Sequence, residues 1–134
     1  MIRLRPKITR LENPNVPAEV VRNLRQILEH RYPKECCGLI AGDCNREIAK
    51  VFEMPNISTN RNEFYVKRGD FIRVGEEILR SGYGITGVFH SHPTGPLLPS
   101  VTDIEGMTFS GIMLIVGRWS MEAFRVHTDC ECLD

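Results

Sequence analysis

The spacing of apolar residues changes several times along this chain, and each change marks an element. From Ala18 onward, Val20, Leu24, Ile27 and Leu28 follow the 3.6-residue period, with Arg22, Asn23, Arg25, Gln26 and Glu29 between them. That spacing predicts a helix whose first turn suits Pro17 and which Pro33 stops. A second helix is expected from Asp70, read as its cap, with Phe71, Val74, Ile78 and Leu79 inward and Gly82 and Gly84 at its end. Three stretches, Glu35 to Gly42, Ile85 to His92 and Gly111 to Gly117, are nearly all apolar and read as buried strands. The second of these is expected to be central and covered on both faces.

Alternating stretches, Arg46 to Met54 and Met121 to His127, read as return strands of two hairpins. Their turns are Asp43-Cys44-Asn45 and Arg118-Trp119-Ser120, and Trp119 is expected to pack. Lys7 to Leu11 and Phe64 to Val66 read as short strands, and residues 55–62 as a polar loop of turn formers. A brief helix starts near Val101, with Gly106 weakening it by roughly 1 kcal/mol. Strands interleaved with helices suggest an α/β fold, one sheet flanked by helices, formed by residues 1–134 as a single domain.

Composition adds limits. The chain has 134 residues, 42% apolar and 25% charged, as in ordinary globular proteins, and a net charge of zero favours no polyanion partner. Arg3, Arg5, Lys7 and Arg10 read as a solvated arm, so neither nucleic acid nor a membrane is expected as partner. The N-terminal stretch lacks the apolar run of a secretory signal, and no stretch reaches the roughly 18 apolar residues of a membrane span. Five cysteines, two of them adjacent (Cys36 and Cys37), therefore read as reduced thiols in the cytoplasm. Cys130 and Cys132 read as thiols of a flexible tail.

The chemistry concentrates in residues 90–103. His90 and His92 sit two apart at the end of an apolar strand, so both imidazoles leave the same face. Three prolines, Pro93, Pro96 and Pro99, limit the loop that follows. Ser100 then occupies a helix N-cap position, three residues before Asp103. Two histidines and a carboxylate suit a catalytic zinc, which leaves one position open for a water of pKa about 7. Such a site also needs a proton shuttle and an oxyanion donor. Glu35 is the candidate for the first, as a charged residue opening a buried-looking strand, and Ser100 for the second.

Together these residues resemble the JAMM (MPN+) metallopeptidase family. Its pattern is a distant Glu, then His-x-His-Pro, six residues, Ser, two residues and Asp. Here it reads Glu35, His90-Ser91-His92-Pro93, Thr94 to Pro99, Ser100 and Asp103, without mismatch. The strand Glu35-Cys36-Cys37-Gly38 is also similar to that family's first strand, and the resemblance runs from about Val20 to Arg125. It implies an α-β-α sandwich around a mixed, curled sheet, similar to cytidine deaminases. It implies Zn2+ on His90, His92 and Asp103, with Glu35 as acid/base and Ser100 as oxyanion donor. The implied partner is a ubiquitin-like or β-grasp sulfur-carrier protein with a C-terminal Gly-Gly, cut by hydrolysis of the amide or isopeptide bond after the glycines. Oligomeric state stays open, a homodimer included.

Three other readings compete with this one. A non-catalytic MPN scaffold would have lost ligands, and every ligand is present. A DNA-associated module like the bacterial RadC domain shares the His-x-His-Pro motif but lacks the Cys-Gly-Leu strand after the glutamate, and the basic DNA-binding helix pair is missing here. A non-haem iron oxygenase would order its two histidines and carboxylate differently. The deaminase signature, His-x-Glu with Pro-Cys-x-x-Cys, is absent.

Overall fold

The computed structural model describes residues 6–128. Its elements run β1 (Lys7–Leu11), α1 (Ala18–Arg31), β2 (Cys37–Gly42), β3 (Lys50–Met54), α2 (Arg68–Arg80), β4 (Gly84–Ser91), α3 (Val101–Gly106), β5 (Gly111–Val116) and β6 (Met121–His127). Arg3, Arg5, Cys130 and Cys132 lie outside the described residues.

The strands form one curled sheet in the order β1-β6-β5-β4-β2-β3. All neighbours are antiparallel except β4 and β5, so the sheet is mixed. The expected central place of β4 follows from its composition, since only a doubly covered strand hides apolar side chains on both faces. Alternation then sorts residues between two layers. Val20, Leu24 and Leu28 of α1 pack on Cys36, Ile40, Phe89 and Leu114. Val74 and Ile78 of α2 pack on the opposite face, against Cys37, Leu39 and Ala41. Met107 and Phe109, after α3, extend that second layer over Met113 and Ile115. The result is the α-β-α arrangement that the resemblance implied.

Several boundaries differ from the sequence reading. The N-cap of α2 is Lys67, whose carbonyl already accepts from Asp70 and Phe71. Asp70 therefore lies in the first turn, where the helix dipole favours a carboxylate, and bridges Arg73 at 3.3 Å. Leu79 is 63% exposed, because Val74, Gly75 and Ile78 already form the inward stripe. Strand β3 starts at Lys50 rather than Arg46, since the Asp43 carboxylate accepts from the N–H groups of Asn45 and Arg46 and bends the chain there. Phe64 to Val66 is not a strand, for no strand among the described residues pairs with it. Trp119 is 82% exposed, standing out from a tight turn closed by Gly117 N–H donating to the Ser120 carbonyl.

Close approach requires glycine at Gly38, as it does at Gly42, Gly87 and Gly111. A Cβ on Gly38 would run into the Phe52 carbonyl and the Phe89 ring. Gly38→Ala should therefore lower the unfolding free energy by roughly 1–3 kcal/mol, as overpacking does. A denaturant melt checks this, and an unchanged midpoint would show that β3 and Phe89 yield freely.

Candidate metal centre and acid/base site

Strand pairing builds the site. Strands β2 and β4 run antiparallel with Cys37 opposite His90. The pairing continues outward through Ser91 N–H to the Cys36 carbonyl (2.9 Å) and Cys36 N–H to the Ser91 Oγ (2.8 Å). One residue further, Glu35 falls opposite His92. Glu35, Cys37, His90 and His92 thus share the α2 face by the two-residue alternation of strands. The histidine spacing works as expected even though β4 ends at Ser91, because His92 N–H still donates to the Val116 carbonyl at 2.9 Å.

The proline loop returns the chain to this strand end, and α3 begins there. Ser100 caps α3 in a reciprocal box: its Oγ accepts from Asp103 N–H (3.0 Å), and its own N–H donates to Asp103 Oδ2 (2.9 Å). The same Oδ2 lies 3.0 Å from His90 Nε2 and 3.3 Å from His92 Nε2, and the two Nε2 atoms are 3.2 Å apart. Ligands at roughly 2.0–2.1 Å from a tetrahedral zinc stand about 3.3 Å from one another. The three atoms thus form a triangle of the size one face of such a site requires.

Tautomer chemistry supports the same fit. His92 Nδ1 is 2.9 Å from the Pro96 carbonyl, which can only accept, so Nδ1 carries the proton. In the neutral ring, Nε2 then aims a lone pair at Asp103 Oδ2 and His90 Nε2. Facing the Asp103 carboxylate at 3.3 Å, that lone pair needs a cation between, either a proton or a metal ion. Hydrogen bonding to Asp103 raises the His92 pKa, despite burial, so a metal has to displace that proton. Burial pushes the Asp103 carboxyl up, but hydrogen bonds from His90 and His92 outweigh it and hold the group well below the usual carboxylate range.

Glu35 is 5% exposed, and its Oε1 has no hydrogen-bond partner among the described residues. Burial pushes its carboxyl up to about 7, against the lowering effect of His92. A buried carboxyl without a partner is costly to keep, which marks it as a candidate for proton transfer. Cys36 and Cys37 are packed thiols: burial raises them to about 11 and about 12, so neither is a thiolate near neutrality.

Every site residue expected from the sequence sits in this one neighbourhood. Sequence reasoning missed three supports. Phe64 stacks on the fully buried His90 ring (centroids 5.0 Å apart). The Pro96 carbonyl orients His92, and Asn56 Nδ2 donates to the Glu35 carbonyl at 2.9 Å. The loop composition around Asn56 was the only hint. Beside His90, Ser100 and Asp103 a groove of about 640 Å3 opens between Phe64–Val66 and Met107–Phe109.

Comparison with known proteins agrees with this geometry. Residues 17–127 match the family described as prokaryotic homologs of the JAB domain. The chain belongs to that family. It is a JAMM-type hydrolase, as its named relatives are. One, from Thermus thermophilus, is a probable TtuB-protein conjugate cleaving protease, 31% identical over 110 residues (81% of this chain and 73% of the relative). Another, a desampylase from Haloferax volcanii, is 28% identical over 104 residues (69% of this chain and 75% of the relative). The solution structure of a protein from Desulfitobacterium hafniense shares the fold, with a TM-score of 0.72 and 21% identity, covering 85% of this chain and 88% of that one. Members of this JAB family depend on a metal, and His90, His92 and Asp103 could hold one.

The Glu35 carboxyl also has a stability signature. Unfolded, it titrates near 4.5; folded and metal-free, near 7. Between these values the folded state holds a proton that the unfolded state has released. Stability therefore falls as pH rises from about 4.5 to about 7 and levels off above. In the metal-free protein, subtracting the Glu35→Gln curve from wild type should isolate this slope. Parallel curves from pH 4 to 8 would show that Glu35 ionises normally.

Proposed function

We propose that this chain is a zinc-dependent peptidase that hydrolyses the amide or isopeptide bond following the C-terminal glycines of a ubiquitin-like or sulfur-carrier protein, in the cytoplasm. The observation that carries the reading is the convergence of His90 Nε2, His92 Nε2 and Asp103 Oδ2 within 3.0–3.3 Å of one another, next to a buried carboxyl with an unpartnered oxygen. The names of the relatives support the substrate class, since two of them act on conjugates or are called desampylases.

In this reading His90, His92 and Asp103 hold the zinc, which when bound supplies Lewis acidity and activates a water. Glu35 takes the proton from that water and delivers it to the departing amine. Burial raises this carboxyl in the metal-free site, and a bound cation would counter that rise and favour the anion that accepts the proton. Ser100 keeps its cap and a second role at once. Its Oγ accepts from Asp103 N–H through a lone pair, and its hydroxyl proton has no acceptor among the described residues. That proton is available to the substrate carbonyl and to the oxyanion that replaces it. The substrate tail lies in the groove beside His90, extended along Phe64–Val66. Phe64 and Val66 make no backbone hydrogen bond among the described residues, so an added strand would satisfy them.

Incubation with a sulfur carrier extended beyond Gly-Gly tests the reading. Zinc-loaded wild type should release the extension, and chelation should abolish release. Glu35→Ala should lower kcat by roughly 10²–10⁴-fold, the usual contribution of a proton shuttle. Full activity of Glu35→Ala would sink the mechanism, and no cleavage of extended or isopeptide-linked carriers would sink the substrate class.

Ser100→Ala separates the two roles of that hydroxyl. Loss of the cap should cost about 1 kcal/mol of stability, while loss of the donor should lower kcat by roughly 10²–10³-fold. Ser100→Thr keeps both groups. Stability loss without a kcat effect would leave Ser100 as a cap alone.

A further inference from the structure

We propose that Asn56 is a positioning residue: its amide sets the Glu35 backbone and the groove-lining strip 63–65 in one fixed relation. The inference rests on the reaction proposed above and concerns a side chain outside the metal ligands and their acid/base partner.

The observation is a fully used amide. Nδ2 donates to the Glu35 carbonyl (2.9 Å) and to the Glu63 carbonyl (3.2 Å). Oδ1 accepts from Ser58 N–H (3.0 Å) and Tyr65 N–H (2.9 Å). An Asn side chain has two donor hydrogens and two acceptor lone pairs, and here all four are used. Its orientation is also determined, because a flipped amide would face two carbonyls with oxygen and two N–H groups with nitrogen.

The need for such a clamp follows from where Glu35 sits. Pairing of β2 with β3 ends at Cys37 opposite Met54, and the last sheet-type bonds to the β4 side are those of Cys36. Glu35 lies one residue beyond, and no side chain or backbone group among the described residues holds its Oε1. Its carbonyl is held by Asn56 rather than by a strand neighbour. The other bonds of the amide reach both ends of the 57–65 loop, so the same side chain shapes the strip that carries Phe64 against His90. A carboxyl that must meet a water and then an amine tolerates little displacement; misplacement by about 1 Å can cost roughly 100-fold.

Two substitutions separate placement of Glu35 from general loop order. Asn56→Asp keeps the size and the Oδ1 acceptor but turns an oxygen toward the Glu35 and Glu63 carbonyls. Ser58→Ala removes the hydroxyl that accepts from Asn60 N–H and donates to Glu63 Oε1, loosening the loop without touching Glu35. With the extended carrier as substrate, Asn56→Asp should lower kcat by about 10- to 100-fold with KM within about 3-fold. Ser58→Ala should keep kcat within about 2-fold, and both should bind one metal per chain. Asn56→Ser, smaller and uncharged, repeats the test should the aspartate variant not fold. Wild-type kcat in either Asn56 variant, equal loss in the Asn56 and Ser58 variants, or failure of both Asn56 variants to fold would overturn the role. A wild type that cleaves no carrier brings down the parent reaction instead, and this inference with it.

Discussion

The antiparallel register of β2 against β4 is the constraint on which the site depends. Cys37 opposite His90 carries Glu35 to His92 and puts all four side chains on the α2 face. A slip of one residue would turn Glu35 toward α1 and separate it from the histidines, since a strand's faces alternate. The core protects against that slip. Phe89 and Ile40 face α1 while Leu39 and Cys37 face α2, so a shift would exchange the two sets of β2 side chains and misfit both packed layers. Gly38 reinforces the lock, because Phe52 and Phe89 occupy the space a side chain would need.

A second economy lies in the start of α3. Helix capping and the proposed metal-ligand position use the same carboxylate oxygen. Asp103 Oδ2 accepts the Ser100 N–H and faces both imidazoles. The cap therefore aims the ligand, and the ligand completes the cap. This explains how a helix of six residues can hold a site residue in position despite Gly106 and no buried residue of its own. The proline loop contributes from the other side, through the Pro96 carbonyl that selects the His92 tautomer.

Two neighbouring carboxyl groups are thereby driven in opposite directions. Glu35, buried and unpartnered, is pushed up to about 7, while Asp103, hydrogen-bonded to two histidines, is held low. In the proposed reaction such a split would divide labour between a group that exchanges protons and one that stays anionic. The buried Nδ1 of His90 remains without a partner among the described residues, so that ring is held by Phe64 stacking on its face and by the Nε2 contact with Asp103.

The sequence alone was enough for the family, for the sheet with its flanking helices, and to nominate the residues that the fold brings together at one strand end. Those signals are local: a two-residue histidine repeat, a Ser-to-Asp cap spacing, and apolar periods that report which faces are covered. It was also enough to nominate Glu35, because a charge opening an apolar strand is conspicuous. Boundaries that depend on partners were not legible. Phe64 to Val66 has strand-like residues but no neighbour, and Leu79 lost its place inside to Ile78 and Val74. Asn56 among turn formers gave no sign that its amide would meet Glu35 across a loop. What tertiary structure decided was distance: that Glu35 meets His92, that three ligand atoms come within about 3 Å, and that a cap also aims a carboxylate. Each follows from strand register and loop closure, which arise between residues far apart in the chain and leave no periodic trace along it.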